Sequence, residues 1–185
     1  MNIYKFISTV IHPLVVPTAG VLLYFLTIPI TFTIEQKYAV LSLIFVVTFI
    51  IPLLLMIVLR QLNMINSFKT ESIKERKFPI AFMSILFYLL GNTILNLSAI
   101  DDLGILFYSS AISLAIAYFL FYLKIKLSIH LLSVGILTGF FISLSLINSI
   151  SFFMIIVTLI LLSGILGNTR LHLKKHKQFE VYLGF

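Results

Sequence analysis

LSIHLLSVGILTGFFISLSLINSISFFMIIVTLILLSGILGNT, residues 127–169, contains no Asp, Glu, Lys or Arg. A helix rises about 1.5 Å per residue and the hydrocarbon core of a bilayer is about 30 Å thick, so roughly 20 residues cross it. The stretch is too long for one crossing. Asn148-Ser149 interrupts it and divides it into spans of 128–147 and 150–168, which form a helical hairpin.

The same pattern continues outward. Lys124 and Lys126 precede the hairpin, and before them an apolar run from Leu103 to Leu123 follows the acidic turn Asp101-Asp102. A further run extends from Pro79 to Ile100, with the proline expected in the first turn of its helix, where its missing N–H costs least. Residues 60–78 form the most charged interruption, and residues 38–59 another apolar span. Residues 6–34 hold no Asp, Glu, Lys or Arg and are expected to form the first span, with His12, Pro13 and Pro17 near its start. A cleavable signal peptide fits poorly there, because the run is too long and lacks a clear small-residue cleavage site. The fold expected is an all-α polytopic transmembrane helical bundle of about six spans, a single integral membrane domain over 1–185.

Composition supports this. The chain is 61% hydrophobic and 10% charged, with a mean hydropathy of +1.16, above what the surface of a water-soluble domain carries. The absence of cysteine excludes disulfides, thiolate metal sites and cysteine nucleophiles. The net charge of +7 comes from basic residues at the ends of apolar runs, which points to anionic lipid head groups or phosphate as partners, not to nucleic acid. Counting crossings places the N-terminus, the 60–78 loop, the 124–127 turn and the tail on one face of the membrane. Of the 13 Lys and Arg, all but Lys37 fall on that face, 12 against 1, which the positive-inside rule assigns to the cytoplasm of a multi-pass cell-membrane protein.

Three polar segments are thereby expected on one side. They are Lys69 to Arg76; Ser128-Ile129-His130; and Thr169-Arg170, then His176 and Glu180. Their order and spacing resemble the three motifs of the type 2 phosphatidic acid phosphatase family of membrane lipid phosphatases, over residues from about 69 to the C-terminus. Lys69, six residues, Arg76 is similar to the first motif, with Pro79 displaced by two residues from the family's position. Ser128-Ile129-His130 resembles Pro-Ser-Gly-His, with Leu127 and Ile129 in place of proline and glycine. Thr169-Arg170, five residues, His176, three residues, Glu180 resembles Ser-Arg, five residues, His, three residues, Asp.

The resemblance implies a metal-independent, cofactor-free hydrolase that removes phosphate from a lipid phosphate monoester or pyrophosphate through a phosphohistidine. In that scheme Lys69, Arg76, Arg170 and Ser128 bind phosphate, His176 attacks phosphorus, Glu180 holds the imidazole, and His130 protonates the leaving group. It also implies a further transmembrane helix beyond Val181-Tyr182-Leu183-Gly184-Phe185. The residue types suit phosphoryl transfer, which asks mainly for positioning and cations around the phosphate oxygens. A helix beginning near His176 would set Glu180, four residues on, against its ring.

Other readings stand beside this one. Residues 69–77 also describe a juxtamembrane basic loop anchored on anionic lipid. His130 alone reads as a polar residue at a helix end, His12 as an interfacial or packing residue, and Asn92 and Asn96 as amides joining helices. His172, His176 and Glu180 form an i, i+4, i+8 ladder that, on a continuous helix, could bind a divalent metal in a metal-handling protein. A non-catalytic membrane protein with a decayed site is the third alternative.

Overall fold

A computed structural model of the chain describes residues 3–29, 31–68, 70, 72–97 and 99–185. The protein is all-α and polytopic. Among the described residues five helices are long and apolar enough to cross a bilayer, and a sixth apolar helix is shorter, consistent with about six spans. Two compact units form within the chain, one of Met1–Val16 with Ile125–Phe185 and the other of Pro17–Lys124.

The first unit contains α1 (Ile3–Val10), α7 (Ile129–Asn148), α8 (Phe153–His172) and the short α9 (Gln178–Tyr182). α7 and α8 are the hairpin expected from the uncharged stretch. α7 stops where Ser149 adopts a left-handed conformation, φ 54°, and Ser145 Oγ donates to the Ile150 carbonyl at 2.7 Å across the turn. Leu131, Val134, Leu137, Phe141 and Leu144 recur at helical spacing and are buried, facing a line on α8 that includes Leu159, Ser163 and Leu166. Because the hairpin is antiparallel, its topology returns the end of α8 to the start of α7.

α8 ends in a Schellman motif. Lys174 takes φ 53°, its N–H bonds the Leu171 carbonyl at 2.9 Å and the Lys175 N–H bonds the Arg170 carbonyl at 3.2 Å, which satisfies the last carbonyls of the helix. The chain then reverses and docks as α9. Here the Ser128 N–H donates to the Glu180 carbonyl at 2.9 Å. Gly184 lies so close to Ser128 that an added Cβ would sit 2.7 Å from the Ser128 carbonyl oxygen.

The second unit holds α2 (Val16–Thr27) from Pro17 onward, α3 (Ile34–Phe45), a π-helical turn (Val46–Ile50), α4 (Ile51–Gln61), α5 (Ile73–Leu95) and α6 (Asp101–Tyr122). α3, the π turn and α4 form one helical span, Ile34–Gln61. Pro52 accounts for the π turn: it has no N–H for the Thr48 carbonyl and its ring would crowd the preceding turn, so the ladder widens by one residue. The Ile51 N–H accordingly reaches back five residues to Val46. α5 and α6 pair closely through Gly91 and Gly104, where a Cβ on Gly91 would lie 3.1 Å from the Gly104 carbonyl oxygen. Ser84 Oγ also donates to the Ala111 carbonyl at 2.8 Å.

Three boundaries differ from the expectation, the simplest being that Asp101 and Asp102 form the first turn of α6 and not a turn before it. Residues 6–34 do not form a single span: α1 ends at Val10, and α2 begins at Val16. Between them the His12 carbonyl accepts from the N–H groups of Val15 at 2.8 Å and Val16 at 3.1 Å, and His12 Nδ1 accepts from the Leu14 N–H at 3.3 Å. Pro13 cannot extend the ladder of α1, and Pro17 suits the opening turn of α2. Pro79 does not open its helix either. α5 begins at Ile73 because Ser72 and Glu75 form a reciprocal capping box, which leaves Pro79 inside the helix.

Candidate functional site

Five of the seven residues singled out from sequence belong to the first unit: Ser128, His130, Arg170, His176 and Glu180. Ser128 and His130 occupy the cap and first turn of α7, and Arg170 the last turn of α8. The Schellman reversal carries the chain from Arg170 to His176, which precedes α9, and Glu180 lies in that helix.

His176 is buried, and its Nδ1 faces two oxygens, Glu180 Oε2 at 3.3 Å and the Lys126 carbonyl at 3.0 Å. Two acceptors at one ring nitrogen place the proton there, so in the neutral ring Nε2 carries the lone pair. The carboxylate of Glu180 is fixed in turn, because its Oε2 also accepts the Lys177 N–H at 3.0 Å. The expectation that Glu180 meets the His176 ring therefore holds geometrically, with the helix starting at Gln178.

Ser128 is fully buried, and its Oγ has no hydrogen-bond partner. As the residue capping α7 it makes no side-chain capping bond, although serine at that position normally caps the helix through its hydroxyl. An orphaned buried hydroxyl at a helix N-terminus, where backbone N–H groups point outward, is suited to an anion.

Arg170 is also buried, 8% exposed. One of its terminal nitrogens, Nη1, donates to Ser8 Oγ on α1 at 2.9 Å. The Ser8 carbonyl accepts from His130 Nε2 at 3.3 Å. The edge of the His12 ring packs on His130, with centroids 5.2 Å apart. Burial foremost, and then the charge of Arg170, holds His12 below the usual histidine range in its turn outside the spanning helices. Ser8 and the Lys126 carbonyl are site neighbours that the sequence reading did not identify, and His12, read there as an interfacial or packing residue, is a third neighbour. Ser8 lies 122 residues from His130 and carries no motif.

The two remaining residues stand apart from this description. Arg76 belongs to the second unit; it is buried in the first turns of α5 and its Nε donates to the Thr70 carbonyl at 2.8 Å. Lys69 lies outside the described residues. The helix that carries Arg76 opens at Ile73.

The metal ladder is broken. α8 ends at His172, five residues separate it from α9, and the His172 ring stacks on Tyr4 with centroids 3.9 Å apart. The left-handed Lys174 turns the chain, so His172, His176 and Glu180 do not share a continuous helix face. Among the described residues no group of three His, Asp or Glu is placed to hold a metal ion.

Comparison with known proteins finds no matching family model, no matching curated protein and no matching solved structure.

Proposed function

We propose that this membrane protein is a metal-independent lipid phosphatase that transfers a phosphoryl group to His176 and then to water. The observation that carries the proposal is the clamped imidazole. With Nδ1 facing Glu180 and the Lys126 carbonyl, Nε2 is the nucleophilic nitrogen, and the carboxylate stabilises the positive charge the ring gains on attack.

The surrounding groups support the same chemistry. Nε2 of His176 forms a bond to phosphorus while the bond from phosphorus to the lipid oxygen breaks, and protonated His130 gives that oxygen its proton. Water then attacks the phosphohistidine, the P–N bond breaks, His130 takes the water's proton, and inorganic phosphate leaves. Arg170 and the orphaned Ser128 hydroxyl suit the phosphate oxygens, the former through its planar fork. Lys69 and Arg76 enter the scheme through the sequence resemblance alone. A lipid phosphate is the favoured substrate class because the groups concerned lie at the ends of spanning helices, where head groups reside. The 12 to 1 distribution of Lys and Arg supports a cytoplasmic location for those helix ends.

The test is phosphate release from a panel of lipid phosphates and pyrophosphates in the presence of chelator. Turnover that survives chelation and is inhibited by vanadate is expected. Release that requires added zinc, or no release from any substrate in the panel, would refute the proposal.

A further inference from the structure

α1 has two faces. Tyr4 and Ser8, four residues apart, lie on one and meet His172, Arg170 and His130 at the ends of α8 and α7. Ile3, Phe6 and Val10, at spacings of three and four, lie on another and are exposed. No residue of α1 is buried. Its contacts with α7 and α8 include the stack of Tyr4 on His172 and the two hydrogen bonds of Ser8.

The contacts of Ser8 fall on the two groups that the proposed chemistry assigns to the substrate. Its hydroxyl accepts from Arg170 Nη1 at 2.9 Å, a donor suited to a phosphate oxygen, and its carbonyl accepts from His130 Nε2 at 3.3 Å, the nitrogen whose proton is assigned to the leaving oxygen. One residue thus presents two oxygens to the two donors that a phosphate monoester would engage through its own oxygens. We infer that α1 is a built-in competitor for the head group, with Ser8 occupying the donors of Arg170 and His130 until a phosphate displaces the helix. This rests on the phosphatase reading for the identity of the displacing anion.

The contacts present favour displacement. The Ser8 hydroxyl offers Arg170 one neutral acceptor and the Ser8 carbonyl offers His130 another, whereas a phosphate brings opposite charge and can accept two parallel bonds from the guanidinium fork. The turn at residues 11–15, with Pro13 and without helical continuity into α2, is a natural hinge. The exposed edge of Ile3, Phe6 and Val10 is suited to remaining in the lipid interface as the helix swings.

The experiment measures binding, not turnover, with inorganic phosphate as the probe and the full chain in lipid nanodiscs. The sequence has no cysteine, so Tyr4→Cys with His172→Cys gives a single pair that a short bis-methanethiosulfonate cross-linker can join through reducible disulfides, fastening α1 to the end of α8. Cross-linking is expected to weaken phosphate binding by at least about tenfold, the scale of one hydrogen bond to a charged group, and reduction to restore it. As an independent variant, Ser8→Ala is expected to bind phosphate more tightly than the wild type, and Ser8→Thr, which keeps the hydroxyl, to resemble it. Equal binding before and after cross-linking, or weaker binding by Ser8→Ala, overturns the competitor role while leaving the phosphate site standing. No phosphate binding by any form, wild type included, refutes the phosphatase reading and the competitor with it.

Discussion

His176 Nδ1 lies 3.3 Å from Glu180 Oε2, although His176 stands outside the short helix that carries Glu180. The pairing depends on the reversal after α8 and on the Lys177 N–H, which anchors the same carboxylate oxygen. Glu180→Gln is therefore expected to keep the ring oriented, because the amide oxygen still accepts from Nδ1, and to lose only the charge that favours the imidazolium. Hydrolysis rates on lipid phosphate should rank wild type above Glu180→Gln and Glu180→Gln above an inactive His176→Ala. A Glu180→Gln as inactive as His176→Ala would show that orientation alone does not sustain attack.

The reversal itself can be tested. Lys174 holds φ 53°, a conformation that costs a residue with a Cβ roughly 1–2 kcal/mol and glycine much less. Lys174→Gly is expected to raise the thermal midpoint in detergent, and Lys174→Val to lower it. The opposite order would mean that the turn is not the left-handed cap of α8.

In the second unit, an added Cβ on Gly91 would meet backbone atoms of Gly104 and Tyr108, each at 3.1 Å. Backbone cannot step aside as a flexible side chain can. Gly91→Leu is expected to part α5 from α6 and to cost on the order of 1–3 kcal/mol or more, read as a loss of thermal stability with a lowered yield of folded protein. An unchanged midpoint would contradict the close packing of this pair.

His12 gives a pH dependence of defined sign. Burial and Arg170 lower its folded value beneath the value near 6.5 expected in the unfolded chain, so the unfolded state binds the proton first as pH falls. Stability from the neutral ring is present above about pH 6.5 and is lost as pH drops toward the folded value. The thermal midpoint should therefore fall between about pH 8 and pH 5, and less steeply in His12→Gln. Equal slopes in the two proteins would remove His12 as the cause.

The spans were legible because lipid imposes a simple rule: charges leave, and runs of about 20 apolar residues remain. The hairpin of 127–169 follows from it, whereas Asp101 and Asp102, expected as a turn before the span, form the first turn of α6, where a helix N-terminus favours acidic residues. Where the rule was silent, local chemistry decided. The Ser72 and Glu75 capping box set the start of α5 against the cue of Pro79, and Pro13 with the His12 turn divided the first run. The His176–Glu180 pair was legible from spacing. Ser8 was not, because its partners lie 122 and 162 residues away and only the folded unit brings them together.

The most direct test of the central claim is a search for the covalent intermediate. His130→Ala should slow turnover by about 10²–10⁴-fold, as loss of a general acid typically does, and should leave His176 able to accept phosphorus from a substrate whose leaving group needs no proton. Rapid acid-free quenching of such a substrate, a lipid pyrophosphate labelled at its terminal phosphorus, with this variant is predicted to yield an acid-labile phosphoenzyme that maps to His176 and is absent from His130→Ala combined with His176→Ala. Label that persists without His176, or turnover by a His176→Ala protein, would contradict the account.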